Sequence, residues 1–241
     1  MAGMSSSTAL VTGATGGIGL HIARQLAEQG WTVLVGARDA VRGAEVAGQF
    51  GGRPLTLDVT DAGSIAAATV LELDVLVNNA GISLDTGTRV TETDVQVFRR
   101  TYETNVFGVV AVTNAFLPAL RRSAHPRIVN VSSGTGSLTW STGPNPQFDY
   151  QAAGTGSGAA YRSSKTALDA LTVFYAQALT PDGFKVNALA PGLRATNLNP
   201  QAATAGGDPA EAAAGAVRLA LLPDDGPTGQ LFSWDGTVVP W

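Results

Sequence analysis

The chain has no cysteine and only two histidines, His21 and His125. The first absence removes disulfides, thiol nucleophiles and thiolate metal sites together. The histidines lie far apart, with no His-Glu-x-x-His spacing around either, so each reads as a surface residue and no metal catalysis is expected. Charge is scarce too: 14% of residues are charged, and 15 Lys and Arg against 19 Asp and Glu leave a net charge of −4. That balance offers no footprint for nucleic acid. No apolar run approaches the ~20 residues of a membrane span. The start, MAGMSSSTALVTG, lacks the basic segment and long apolar run of a signal peptide. A soluble, cytoplasmic protein with a small-molecule substrate is expected.

The 241 residues, 44% of them hydrophobic, suffice for one large core. Short runs rich in Val, Leu and Ile recur: TALVT, WTVLVGA, RPLTLDV, LDVLVNN, RIVNVSS, FKVNALA and GQLFSW. Most are continuously apolar, as strands are when buried on both faces of a parallel sheet. Helix-like segments separate them, including GIGLHIARQLAEQG, DAGSIAAATVL (about three turns at ~3.6 residues each), one long segment from TETDVQVFRR to FLPALRR, and AYRSSKTALDALTVFYAQAL. The alternation predicts one α/β domain over residues 1–241, a Rossmann-type doubly wound sheet of seven parallel strands with helices on both faces.

In such a sheet the ligand crevice lies at the carboxyl ends of the strands. Those ends carry TGATGGIG, GARD, LDVT, NNAG, VSSGTG and LAPGLRAT, glycine-rich and polar loops that would converge on one edge. Two segments break the rhythm. Residues 134–158 are too rich in Gly and Pro for a strand or a long helix, and residues 197–208 read as a mobile loop beside the same edge.

The first loop fits two spacings, Gly13, Gly17 and Gly19 or Gly13, Gly16 and Gly19, and a merely structural turn would also use glycine. Its place between a strand and a helix suits a nucleotide: Gly13 for the tight turn, Gly17 for approach to a pyrophosphate, Gly19 for close packing of helix on strand. Tyr161 and Lys165 are four apart in a helical run and so project from one face. A nearby ammonium favours the phenolate and draws a tyrosine down from its ordinary value of ~10.

TGATGGIG, NNAG at 78–81, YRSSK at 161–165 and PG at 191–192 together resemble the short-chain dehydrogenase/reductase family, over nearly the whole chain and in the family's order. GARDAVRGAEVA and LALLPDDGPTGQLF resemble its carbonyl reductase branch. The sugar-nucleotide epimerase branch shares the Gly-xx-Gly-xx-Gly loop, but this chain is too short for that branch's substrate domain. The resemblance implies a nicotinamide site built from Gly13, Thr15, Gly16, Gly17, Ile18 and Gly19. It adds Asp58 and Val59 near the adenine and Asn79, Ala80 and Gly81 after the fourth strand. Pro191, Gly192, Leu193 and Thr196 would lie beside the nicotinamide, and Tyr161 and Lys165 at its ribose. Asp58 has an alternative reading as a helix N-cap, for which Thr60 and Asp61 compete.

Ala37 stands where NAD-preferring relatives place an acid, and Arg38 and Arg42 follow it. Two guanidiniums there suit a 2′-phosphate, so NADP(H) is expected ahead of NAD(H), although two solvated arginines would look the same. Gly16 stands where many NADPH-preferring relatives carry a basic residue. The resemblance makes Tyr161 the general acid, Lys165 its electrostatic partner, Ser133 rather than Ser132 the group on the substrate oxygen, and Asn105 the holder of a relay water. The expected reaction is NADPH-dependent reduction of a small aldehyde, ketone or quinone. Oxidation of an alcohol by the same residues is the alternative, and a non-catalytic NADP(H) sensor the remaining one. Ser133 and Tyr161 stand 28 positions apart, a wider gap than most of the family shows. The extra residues are expected to wall the pocket with Trp140, Phe148 or Tyr150 and to block subunit packing, leaving a monomer; a homo-oligomer is the alternative.

Overall fold

The computed structural model describes residues 7–70, 72–145 and 156–241. β1 (Thr8–Thr12), β2 (Thr32–Ala37), β3 (Arg53–Thr56), β4 (Val75–Asn78), β5 (Arg127–Val131), β6 (Lys185–Ala190) and β7 (Leu231–Ser233) pair in parallel in the order β3-β2-β1-β4-β5-β6-β7. The seven expected strands are present. An eighth, β8 (Val238–Val239), pairs antiparallel with β7 and closes that edge. Two residues are too few to show a strand period, so the sequence pattern does not reveal β8.

Alternation along the strands divides the core. Ala9, Val11, Val33, Val35, Val75 and Val77 face one side, packed against α1 (Gly17–Glu28), α2 (Ala40–Gly48) and a helix at Pro209–Ala220. Leu10, Leu34, Leu76 and Ile128 face the other, against α3 (Ala62–Ala67), a helix at Gly108–Leu120 and a long helix at Ala159–Leu179. Helices therefore cover both faces, and the inner strands are apolar in both directions because neither of their faces meets water, whereas edge strand β3 is largely exposed. α3 has six residues instead of three turns; Thr69 turns its hydroxyl back to the Ala66 carbonyl where the helix ends.

The long segment expected as one helix is broken. α4 (Val95–Tyr102) passes through a π-helical turn, Glu103–Phe107, into α5 (Gly108–Leu120). Such turns often mark functional positions, and this one carries Asn105. α6 (Leu138–Thr142), α7 (Ala159–Leu179), α8 (Pro200–Ala205) and α9 (Pro209–Ala220) complete the set.

A buried polar ladder ties α5 and α7 to the sheet. The Asn78 amide donates to Thr113 Oγ1 at 3.0 Å and to Asn130 Oδ1 at 2.9 Å, and Asn130 donates to Thr172 Oγ1 at 2.9 Å. All four residues are at most 2% exposed, so each bond is made where water cannot substitute for it. The chain winds from β1 towards β3 on one side and from β4 towards β7 on the other. The crevice of a doubly wound sheet opens at that reversal, above Thr12 and Asn78.

Candidate active site

The glycine loop settles its own ambiguity. Gly13 has φ +64°, and a β-carbon there would lie 3.0 Å from the Ala80 backbone. Gly17 has φ +53° and faces the Thr196 methyl, 3.1 Å from where a β-carbon would sit. A β-carbon on Gly19 would fall 2.3 Å from Asn79 Nδ2 and 2.7 Å from the Gly13 carbonyl oxygen. Gly16 is extended, and a β-carbon there would meet nothing within 4 Å, so its position demands no glycine. The working spacing is Gly13, Gly17 and Gly19. α1 has no side-chain cap, which leaves the positive end of the helix facing the crevice. Thr15 lies in the turn, and Ile18 packs on the core beneath it.

The loop after β4 is held against this turn. Thr12 Oγ1 accepts from the Asn79 and Ala80 amides, both at 3.0 Å, and Asn79 Nδ2 donates to the Thr12 and Gly13 carbonyls at 2.9 and 3.2 Å. The same loop reaches α7. A β-carbon on Gly81 would lie 3.3 Å from Asn105 Oδ1 and 3.6 Å from Lys165 Nζ. Asn105 accepts from the Ile82 amide at 2.9 Å and donates to the Ile82 carbonyl at 2.9 Å and to Ser164 Oγ at 3.0 Å. Both amide protons are thus committed to clamping the loop on α7. Asp85, further along the loop, accepts from the Ala160 amide at 2.6 Å and the Tyr161 amide at 3.3 Å.

Tyr161 and Lys165 share one face of α7, with Lys165 Nζ 5.7 Å from the phenol ring centroid. Lys165 is 4% exposed and donates to the Val131 carbonyl at 2.8 Å, joining α7 to the end of β5. Burial pulls its ammonium down to about 8, against the opposing pull of Asp169. Asp169 is one turn further along the helix and also 4% exposed, and neither of its oxygens has a hydrogen-bond partner among the described residues. The neighbouring Ser132 hydroxyl, which holds the carboxyl down slightly, donates at 3.4 Å to the Lys165 carbonyl. Burial dominates and pushes Asp169 up to about 7. Ser133 stands where β5 opens into the crevice; its hydroxyl lies 2.9 Å from Thr135 Oγ1 and accepts from the Thr135 amide at 3.2 Å.

After β3, Asp58 is not a helix cap. It accepts from the Thr60 amide and hydroxyl at 2.9 and 2.7 Å, bonds that hold its carboxyl below the usual range, while Asp61 caps α3. Val59 lies beside it, with its carbonyl 2.8 Å from where a β-carbon on Gly108 would sit. Ala37 ends β2, 3.1 Å from where Gly43 would carry a β-carbon, so this spot holds a small residue packed on α2. Arg38 is exposed and has no ion-pair partner among the described residues, and Arg42 pairs with Glu45 at 3.1 Å. At the other end, Pro191 and Gly192 (φ +70°) turn out of β6, and Leu193 is 46% exposed.

Two expectations are corrected. Trp140, on α6, packs in the core against Ala188, Ala190, Leu231 and Val239 rather than walling a pocket, because the extra strand β8 offers it an apolar seat. Phe148 and Tyr150 lie outside the described residues. Residues 197–208 form more than a loose loop: Asn199 caps α8, with Pro200 at its first position. The base of this segment is tied by Ala195 N to Gly207 O at 2.8 Å and by buried Arg194, which pairs with Glu211 at 2.6 Å. Arg194 also donates to the Pro191 carbonyl at 2.7 Å and lies 4.3 Å from the Trp234 ring centroid. The Asn-Pro pair is the sequence signal for that helix. Asp85 and Arg194 have none, since their partners Ala160, Tyr161 and Glu211 lie far along the chain, whereas Asp169 stands four positions after Lys165, a helical spacing that could have shown it.

Residues 7–146 match the family described as short chain dehydrogenase. The chain belongs to that family. This short-chain dehydrogenase is similar to (−)-isopiperitenone reductase of Mentha piperita, at 33% identity over 94% of this chain and 96% of that protein. Among solved structures it is similar to salutaridine reductase from Papaver somniferum, at 28% identity and a TM-score of 0.77 over 93% of this chain and 99% of the other. It is also similar to NADPH-bound carbonyl reductase from chicken fatty liver, at 25% identity and a TM-score of 0.79 over 99% and 100% of the two chains. It is an oxidoreductase of the kind that interconverts CH–OH and C=O groups with a nicotinamide cofactor. The close glycine cradle, the left-handed Gly17 opposite Thr196 and the uncapped α1 fit that cofactor's phosphates.

The buried carboxyl makes the stability of this short-chain dehydrogenase depend on pH. Asp169 rises from an ordinary 3.8 to about 7 in the fold, so its contribution is full below about pH 3.8 and is lost as pH rises through 7. Lys165 falls from 10.5 to about 8, and its contribution changes only above that value. Asp169→Asn, a neutral mimic, should therefore gain stability relative to the wild type between pH 4.5 and 7.5 in denaturant melts. An equal difference at both pH values would contradict this.

Proposed function

We propose that this protein is an NADPH-dependent carbonyl reductase acting on a small aldehyde, ketone or quinone. The observation that carries the reading is the juxtaposition of Tyr161, buried Lys165 and the Gly81 loop at the mouth of the crevice. When bound, the nicotinamide would supply the hydride. Tyr161 donates its phenolic proton to the oxygen as that oxygen becomes an alkoxide, and the phenolate left behind is stabilised by the Lys165 ammonium. Ser133 donates a hydrogen bond to the same oxygen, and this bond strengthens as charge grows. Lys165 keeps a second task, holding the cofactor ribose, and its bond to Val131 fixes the direction in which its remaining protons point. Asn105 keeps the nicotinamide-side loop against α7.

The preference for NADPH rests on Arg38 and Arg42 beside a β2 end without an acid. An exposed pair such as Arg42–Glu45 is worth only about 0–1 kcal/mol, so Arg42 can leave Glu45 for a phosphate at little cost. Ala37, which ends β2, carries no carboxylate to repel that phosphate.

Oxidation of NADPH over a panel of aldehydes, ketones and quinones tests the activity. Tyr161→Phe should bind NADPH as the wild type does and lose kcat by about 10²-fold or more, the scale of a general acid; wild-type turnover would remove Tyr161 from the chemistry. The cofactor preference is read as kcat/KM, expected to be about tenfold or more higher with NADPH than with NADH. Equal values would refute it.

A further inference from the structure

We propose that Asp85 is a positioning residue for the catalytic tyrosine: its carboxyl caps α7 from the loop that follows Asn79–Gly81, so that one short segment sets both the nicotinamide side of the crevice and the phenol opposite it. The inference rests on the reductase reading and deepens it.

A helix begins with amides that have no partner inside it, and these are ordinarily satisfied by a Ser, Thr, Asp or Asn just before the first turn. α7 has no such residue. Its capping position is Gly158, left-handed at φ +71°, and makes no side-chain hydrogen bond. The missing acceptor comes from 75 and 76 positions away: Asp85, 1% exposed, takes the Ala160 amide at 2.6 Å and the Tyr161 amide at 3.3 Å. A carboxyl at this end also complements the helix dipole.

The source of the cap decides its consequence. Tyr161 is the third residue of α7, in the turn that frays first when a cap is lost. A local cap would steady that turn relative to its own helix alone. Asp85 steadies it relative to Gly81, four residues earlier in the chain, and the segment between them is already fixed by Asn105, which clamps Ile82 to Ser164. Beyond Asp85 the loop keeps hold of the approach to the helix: Gly158 N donates to the Thr88 carbonyl at 3.3 Å, and Arg89 pairs with Ser157. Lys165 is secured from the opposite side by Val131. Without Asp85 the lysine would stay and the tyrosine would drift, and a misplacement near 1 Å costs about 10²-fold in rate.

The test compares wild type, Asp85→Asn and Asp85→Ala in the full chain. Asp85→Asn keeps the shape but offers one acceptor oxygen, with its amide group against the second N–H. Its kcat should fall about tenfold while the NADPH dissociation constant, read by cofactor fluorescence, stays within threefold of wild type; Asp85→Ala should lose more. Wild-type kcat in either variant, or a loss of NADPH affinity equal to the loss of kcat, overturns the proposal. Amide hydrogen exchange reads the cap without turnover: Ala160 and Tyr161 should exchange at least tenfold faster in Asp85→Asn, and unchanged exchange also overturns it. A wild-type chain inactive on every carbonyl counts against the reductase reading alone, because the exchange result stands regardless.

Discussion

An ammonium buried in the interior is the constraint on which the rest of this site depends. Removing Lys165 from water costs several kcal/mol unless the protein supplies compensation. Here one carbonyl, that of Val131, supplies a direct bond, and Asp169 supplies field at a distance. The bond to Val131 fixes α7 against the end of β5, the point at which the chain turns into Ser132 and Ser133. Tyr161 and Lys165 on α7 and the residues that follow β5 are therefore tied together at one sheet end. The same burial depresses the lysine to about 8, so that its charge becomes sensitive to pH above neutrality.

The second requirement is that the cofactor side of the crevice be held in register with that anchor. The sheet does this coarsely by reversing its winding between β1 and β4, which opens the crevice above adjacent strand ends. Polar side chains do it finely. Thr12 binds the Asn79–Ala80 turn to the glycine loop, Asn78 and Asn130 bind α5 and α7 to the sheet, and Asn105 binds the Gly81 loop to α7. The π-helical turn at Glu103–Phe107 explains how a single long segment can deliver Asn105 to that position and still continue as α5. Buried polar bonds of this kind add specificity of arrangement rather than large stability.

Much of this is legible in the sequence, and the failures have physical causes. Continuous Val and Leu runs announce buried parallel strands, and the Gly13, Gly17 and Gly19 positions match backbone conformations and close approaches that only glycine permits. Tyr161 and Lys165 are legible because helical spacing makes them neighbours. What escapes is whatever depends on distant partners. Asp85 looks like a loop acid until its partners 75 and 76 positions away are known, and Trp140 looks like a pocket wall until β8 provides a seat for it. Asn199–Pro200 is a local helix-start signal within residues 197–208, but the glycine-rich flank hides the order there.

On the reductase reading, one crevice brings a nicotinamide ring to Tyr161. A crystal structure of the full chain with NADPH and a ketone tests it most directly. Phosphates are expected at the start of α1 between Gly17 and Thr196, the nicotinamide beside Gly81 and Lys165, and the ketone oxygen within about 3.2 Å of both the Tyr161 and Ser133 hydroxyls. A cofactor seated elsewhere, or a substrate oxygen turned away from Tyr161, would contradict it.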